Sequence, residues 1–482
     1  MVRPRLWWPV LAAVLALGAS SLVGAANPAA TWGRATRAVL PPGASGLPQG
    51  YLPTLACPAA GACVAAGLYA DASGAPRGLV LTESAGRWLP PRTIAAPAGA
   101  AASPGLTPSA VACAAVGWCA VVGSYQSASG ATQAFTVSES AGRWGTTREA
   151  PLPADAATTA QLAQLRAVAC PAIGHCVAVG TYVTSGGATS GLALAQSGAS
   201  WGSPTPLRAP ADANLSSLLS VTQVACPAVG ACNAIGTYLD TDNVQHGIVV
   251  SEVAGQWGAV QTVQPPPDAS LYAHVTLSAV ACPAASACWV VGTYYDHGGA
   301  SELLALRIDQ GRARPATALA APAGVATNPR AFYYGYVDLA CASSTICAAG
   351  GQYVDQAGRY QGFLVDEVAG QWGRAQRLSL PAGALQVGHN GGVVALSCPL
   401  AGACHAGAAY EDAAGRYQAL VASQVGGRWR TGTPVVLPAG GTSVGIDGGV
   451  YALVCPTPRS CTAVGSYLEG ATRYEGFLVA TS

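Results

Sequence analysis

Sixteen cysteines fall into eight Cys-x5-Cys pairs spaced 56 to 59 residues apart, each followed by further short apolar runs, and the last repeat lacks a piece found at the N-terminus. Together these observations predict an all-β fold: an eight-bladed β-propeller of four-stranded antiparallel blades, the ring closed by an N-terminal strand completing the C-terminal blade. The pairs are Cys57/Cys63, Cys113/Cys119, Cys170/Cys176, Cys226/Cys232, Cys282/Cys288, Cys341/Cys347, Cys398/Cys404 and Cys455/Cys461, with no cysteine left over.

The N-terminus reads as a signal peptide, residues 1–26. Arg3 and Arg5 supply the positive end, Leu6 to Leu17 the apolar core, and small residues reach a cleavage site at Val23-Gly24-Ala25 or Gly24-Ala25-Ala26. An uncleaved anchor is the competing reading, which Pro9, Ser20 and Ser21 weaken. No cysteine occurs before Cys57 to carry a lipid. The expected location is therefore secreted or cell-envelope exterior, with no stable membrane span after cleavage.

The remaining 27–482 is expected to be one propeller domain, and Asn27–Ser482 is 456 residues, eight times 57. Repeat three shows the unit: a run from Leu165 to Cys170, a turn, a run from Cys176 to Tyr182, a Gly-rich turn, Gly191 to Gln196, a tight turn, and Trp201 leading the fourth run. Runs this short, bounded by Gly, Pro, Ser and Asp, make strands A to D of a meander. The eighth repeat stops at Gly476-Phe477-Leu478-Val479, and residues 27–45, with Trp32-Gly33, supply its fourth strand. An open array would leave edges that this split removes.

Each cysteine pair flanks an A–B turn, where cross-strand neighbours lie within disulfide reach, and the bridge is expected to lock that turn. Eight metal sites would need further ligands in each repeat. A tryptophan recurs after the C–D turn (Trp32, Trp88, Trp144, Trp201, Trp257, Trp372, Trp429), and from Trp88 onward each has an acid or amide five residues earlier: Glu83, Glu139, Gln196, Glu252, Glu367 and Gln424. That acceptor is expected to take backbone N–H groups of the turn while the indole packs between blades. Repeat five has Asp309 and Ala313 instead.

Thr82-Glu83-Ser84-Ala85-Gly86-Arg87-Trp88 resembles the Asp-box-type turns of bacterial sialidase-like and sortilin-like propellers, although the acid is usually Glu and Gly lies only two residues before Trp. Cys-Pro-Ala-x-Gly-x-Cys and Val-Gly-Thr-Tyr are similar to elements of disulfide-pinned propellers secreted by GC-rich bacteria. The resemblance implies fold and location and brings no catalytic residue.

Composition narrows function by exclusion. The chain is 51% apolar, 9% charged and carries a net charge of +1, with no basic stripe for nucleic acid. The histidines at 175, 246, 274, 297, 389 and 405 have no metal-ligand spacing, and no Gly-x-Ser-x-Gly elbow or phosphate loop occurs. No cofactor, metal or catalytic residue is assigned, and a monomer is expected.

Candidate ligand-binding residues lie on the face carrying the D–A and B–C loops, opposite the cysteine turns. On the D–A side these are Tyr272, His274, Tyr333, Tyr334, Tyr336, Asp338, His389, Asp447 and Tyr451. On the B–C side they are the pairs Arg359-Tyr360, Arg416-Tyr417 and Arg473-Tyr474. Rings on loops over a rigid scaffold suit a glycan, and three Arg-Tyr pairs suit an acidic glycan or protein. The same rings could instead plug a wide channel, and the pairs could be solvated hairpin tips. The expected function is a non-catalytic binding or scaffold propeller for an envelope glycan or protein. The alternatives are a propeller-type glycoside hydrolase or lyase using Asp338 and Asp447, and a purely structural envelope protein. The tyrosines closing strand B (Tyr69, Tyr125, Tyr182, Tyr238, Tyr294, Tyr353, Tyr410, Tyr467) recur in every repeat and are expected to be structural.

Overall fold

The structure, a computed structural model, describes residues 31–45, 52–214, 219–326, 337–387, 392–445, 448–470 and 473–481. It is all-β, with eight antiparallel sheets arranged as the blades of a propeller. Blade 2 is representative: strand A is Thr107–Ala115, B is Trp118–Gln126, C is Thr132–Ser140, and D comes in two pieces, Arg143–Trp144 and Arg148–Glu149, both paired to C. The fourth strand is broken this way in blades 1 to 7, a division that short-run reading does not reveal.

Strand A is the inner strand, because neighbouring blades hydrogen-bond there. Thr54 Oγ1 accepts from Val111 N–H at 3.0 Å, and Ser397 Oγ from Cys455 N–H at 3.0 Å. The ring closes as the chain ends require. Thr36–Arg37 pairs with Arg473–Ala480, the third strand of blade 8, in the register Thr36↔Leu478 and Arg37↔Phe477, and Trp32 bridges Thr481. Arg37 fastens this seam, with Nη2 2.6 Å from Oε1 of the fully buried Glu475 and Nη1 3.3 Å from Glu469.

The core lies between blades. Ala120 and Val122 of blade 2 pack with Leu165, Ala178 and Leu192 of blade 3, and Trp201 covers them. The same arrangement places Trp88, Trp144, Trp257, Trp372, Trp429 and Trp32 in the interfaces before their own blades. Between blades 4 and 5, where Ala313 replaces the tryptophan, Gln261 reaches across: its Nε2 donates to Gly311 O at 2.8 Å and its Oε1 accepts from Ala313 N–H at 3.1 Å.

The Val-Gly-Thr-Tyr element follows from a bulge in strand A. In blade 3 the register slips between Leu165 and Ala167, leaving Arg166 as the extra residue. The bulge drives Gln164 O into the space a side chain would need: a Cβ on Gly180 would lie 1.9 Å from that oxygen. Gly123, Gly236, Gly292 and Gly465 face the equivalent carbonyl at 1.8 to 2.0 Å. Tyr182, one residue before the end of strand B, is fully buried.

Candidate functional site

The two ends of the blades differ physically. At one end all eight disulfides form, with Cα–Cα distances from 3.9 to 4.2 Å. The bridges join the strands on either side of each A–B turn, as expected, and the two halves of each bridge have different surroundings. The second cysteine, at the start of strand B, is buried in every blade: Cys63, Cys119, Cys176, Cys232, Cys288, Cys347, Cys404 and Cys461. Its sulfur joins the apolar core, as Cys63 does beside Leu55 and Leu81, Cys119 beside Val111 and Val137, and Cys232 beside Val224 and Val250. Cys347 and Cys404 are core members in the same way. The cause is strand alternation, which turns this position towards the neighbouring blade. The first cysteine stays half-buried in blades 1 to 6 (Cys57, Cys113, Cys170, Cys226, Cys282, Cys341) and is buried at Cys398 and Cys455. These cysteines are therefore structural packing groups, each bonded to its partner across the turn.

The A–B turn carrying each bridge is tied to the C–D turn of its own blade, for example Gly86 N–H to Gly61 O at 2.9 Å and Gly142 N–H to Gly117 O at 3.0 Å. The C–D turn has positive φ at both central residues (Ala85 49°, Gly86 74°), the two-residue hairpin geometry that matches strand twist. The sulfurs also pack on the preceding blade: Asn233 Nδ2 lies 3.1 Å from Cys288 Sγ. His405 occupies the equivalent place beside Cys455 and Cys461; burial draws its pKa down to about 4, and Nδ1 lies 2.9 Å from Ser423 Oγ. Those cysteines are bonded to each other, so the trio is not a ligand set.

The acids before the tryptophans meet the expectation in part. Glu83, Glu139, Glu252 and Glu367 are buried, burial raises their pKa values, and Oε2 of each has no partner among the described residues. Glu367 does accept the Gly370 N–H of its turn.

At the opposite end the B–C turns are closed by acids. Asp355 Oδ1 accepts from Ala357 N–H at 2.9 Å and Arg359 N–H at 3.0 Å, and Asp412 repeats this with Ala414 and Arg416. Oδ2 of each takes the guanidinium, Arg359 at 3.3 Å and Arg416 at 3.1 Å. Arg473 bonds Glu475 at 2.6 Å and approaches Glu469 at 3.8 Å. The three arginines are thus engaged with their own hairpins, though each keeps about half of its side chain exposed.

Their tyrosines are half-buried at blade junctions. Tyr360 packs on the core between blades 6 and 7, and its N–H donates to Gln386 Oε1 at 3.2 Å. Tyr417 packs between blades 7 and 8, and its carbonyl accepts from Val444 N–H at 2.8 Å. The Tyr474 hydroxyl lies over Gly445, 2.6 Å from where a Cβ would stand. Tyr451 is the bulge residue of blade 8, its hydroxyl 2.9 Å from Ser466 Oγ. Tyr333, Tyr334, Tyr336, His389 and Asp447 lie outside the described residues.

Asp338 opens strand A of blade 6 (Asp338–Ser343), its carboxyl turned into the joint with blade 7, where Oδ2 accepts from Leu396 N–H at 2.7 Å. Burial pushes its pKa up to about 6.

The D–A loops hold a signal that the sequence reading misses. Each contains Pro-x-Gly or Pro-x-Asp, closed for instance by Ala156 N–H to Pro153 O at 2.9 Å and Ala384 N–H to Pro381 O at 3.1 Å. Where the third residue is Asp, its carboxylate takes the hydroxyl of the strand-B tyrosine: Tyr182 to Asp155 at 2.8 Å, Tyr238 to Asp212 at 3.1 Å and Tyr294 to Asp268 at 2.8 Å. These tyrosines are buried structural residues.

The loop into blade 5 stands apart. Its backbone is pinned by Ser270 N–H to Tyr295 O at 3.0 Å, Tyr295 N–H to Ala273 O at 2.6 Å and Val275 N–H to Gln245 O at 3.0 Å. Yet Leu271 is 93% and Tyr272 63% exposed. His274 is held at φ 44°, edge-on to Tyr295 with ring centroids 5.8 Å apart. Asp268, Asp296 and Glu302 lie nearby, and burial, then the charges of Asp296 and Asp268, raise the Glu302 pKa.

No family model and no curated protein matches the chain. Among solved structures it is similar to the BP39L lectin from Burkholderia pseudomallei (17% identity, TM-score 0.44, covering 80% of this chain and 100% of that one) and the WD40 domain of SCAP from fission yeast (7% identity, TM-score 0.45, 95% and 96%). It is also similar to the Trypanosoma rangeli sialidase (9% identity, TM-score 0.36, 89% and 53%). Likeness at this level carries no inference about ligand or activity.

Proposed function

We propose that this chain is an exported, non-catalytic binding propeller that engages an envelope component through its D–A and B–C loop face. The observation that carries this reading is the Leu271–Tyr272 pair. Two large side chains stand in solvent on a loop whose backbone is hydrogen-bonded on both sides. An unused loop would be expected to bury or lose such groups, whereas a contact surface gains from apolar groups held ready. Export is supported by the eight disulfides, which persist in oxidising compartments, and by the signal-like residues 1–26. No helix among the described residues is long and apolar enough to cross a membrane.

The test is capture from envelope material by the folded protein, compared with a Leu271→Ser, Tyr272→Ser variant. Loss of the captured component with unchanged thermal stability is the expected result. Identical capture by both proteins would refute the loop-face assignment.

A further inference from the structure

The broken fourth strands create a second kind of surface on the rim, independent of the loop face. Where strand D leaves the sheet between its two pieces, a cleft opens beside the tryptophan of the next blade. The cleft between blades 1 and 2 is about 550 Å³, with Arg92 and Ile94 on one side and Trp144 and Thr146 on the other. The neighbouring cleft between blades 2 and 3, about 200 Å³, holds Arg143, Arg148, Ser138 and Trp201. Arg92 and Arg148 occupy the same place in successive blades, the first residue of the outer D piece. Gly145 and Thr146 line both clefts, so blade 2's strand break is their common wall.

The chemistry of the lining is one-sided. Neither cleft is lined by an aspartate or glutamate. Arg92, Arg143 and Arg148 are exposed, and among the described residues none of the three has an ion pair or side-chain hydrogen bond. By contrast, Arg77, Arg359 and Arg416 are committed to the acids of their own hairpins. Trp144 is half-buried and its buried indole N–H has no acceptor among the described residues, whereas Trp201 Nε1 already donates to Ser138 Oγ at 3.3 Å. A half-buried indole, uncommitted guanidinium groups and hydroxyls are complementary to one ligand class. That class is a sugar ring whose C–H face lies on the indole and whose carboxylate meets arginine.

We propose that the rim clefts at Trp144 and Trp201 bind acidic saccharides, adjacent clefts taking successive segments of one anionic chain. Two linked sites raise affinity beyond either alone when the ligand spans both.

The experiment is calorimetric titration of the intact protein with an oligogalacturonate, a neutral oligoglucose of equal length and a short polyphosphate. The expected result is oligogalacturonate binding at least tenfold tighter than either other probe. It should fall at least tenfold in Arg92→Ala, Arg148→Ala and persist in Leu271→Ser, Tyr272→Ser. Trp144→Phe, which keeps a ring in the interface, should weaken it less than the arginine pair. Thermal melts of each variant separate lost binding from lost folding. Equal binding of polyphosphate would reduce the clefts to charge adsorption and overturn the proposal, as would absence of oligogalacturonate binding or indifference to the arginines. Loss of binding in the Leu271/Tyr272 variant alone would move the saccharide to the loop face and overturn it equally.

Discussion

Asp338 shows how one side chain's surroundings change its meaning. As a residue type in a loop it suggests an acid available for chemistry, but its carboxyl is spent on Leu396 N–H across a blade joint. Its raised pKa has a definite consequence for stability. A carboxyl with a folded pKa near 6, above its ordinary 3.8, is held more tightly protonated in the folded state. Its stabilising contribution is therefore complete below pH 3.8 and is lost as pH rises through 6. Asp338→Asn, which retains an acceptor for the amide, should stabilise the protein by about 1 to 2 kcal/mol at pH 7.5 and leave it unchanged at pH 4, read by thermal melts. His405 has the opposite sign. Its pKa is depressed to about 4 by burial, so its contribution is present above 6.5 and lost as pH falls towards 4. His405→Gln should flatten that acid limb by about 2 kcal/mol. Asp355 and Asp412 each stand three residues before a glycine, a spacing that was visible in the sequence. The engagement of Arg359 and Arg416 was not, since the same residues read equally well as free charges.

At the level of single elements, the cysteine turn is the most constrained. Gly61 sits at φ 65°, and a Cβ there would lie 2.8 Å from Gly86 N in the adjoining turn. Gly61→Ala should therefore cost about 2 to 3 kcal/mol, combining left-handed strain with that collision. Gly74 has φ 81° but nothing within 4 Å, and Gly74→Ala should cost only about 1 kcal/mol. Comparing the two by denaturant titration isolates the turn-to-turn contact. Strands A to C were readable from alternation and turn residues, and so was the pairing of each cysteine with its neighbour. That Cys63 or Cys232 belongs to the core between blades was not, because spacing alone does not say which side of a strand meets the next blade. The break in strand D was equally hidden, since two or three residues on either side of a short excursion carry no periodicity. That break is also what opens the rim clefts, so a reading of the sequence places every candidate on the loops and none on the rim. The Pro-x-Gly/Asp turn could have been found by aligning the repeats on cysteine, which brings its eight copies into register.

The whole ring was legible from its arithmetic: eight repeats of nearly equal length, the eighth completed by an N-terminal strand, permit closure and leave no free edge. The strength of the joint was not legible, for it depends on Arg37 reaching Glu469 and the buried Glu475. Removing Arg37 leaves Glu475, among the described residues, with only Arg473 at 2.6 Å, and loss of one partner from a buried charge group is costly. Arg37→Ala should lower stability by about 2 to 3 kcal/mol. It should also make residues 31–40 the first segment to exchange amide hydrogens, with blade 4 protected much longer.

The divided blade also sets a timetable. Thr36 meets Leu478, its partner 442 positions away, only after the seven intervening blades have been made. As the chain folds, seven blades can stack on one another in order, each resting on the last. Blade 1 meanwhile waits with its outer flank uncovered and the N-terminal strand has nothing to pair with. The chain therefore passes through an open arc, and it acquires its final resistance to unfolding in one late event, when Thr36–Arg37 meets the strand Arg473–Ala480.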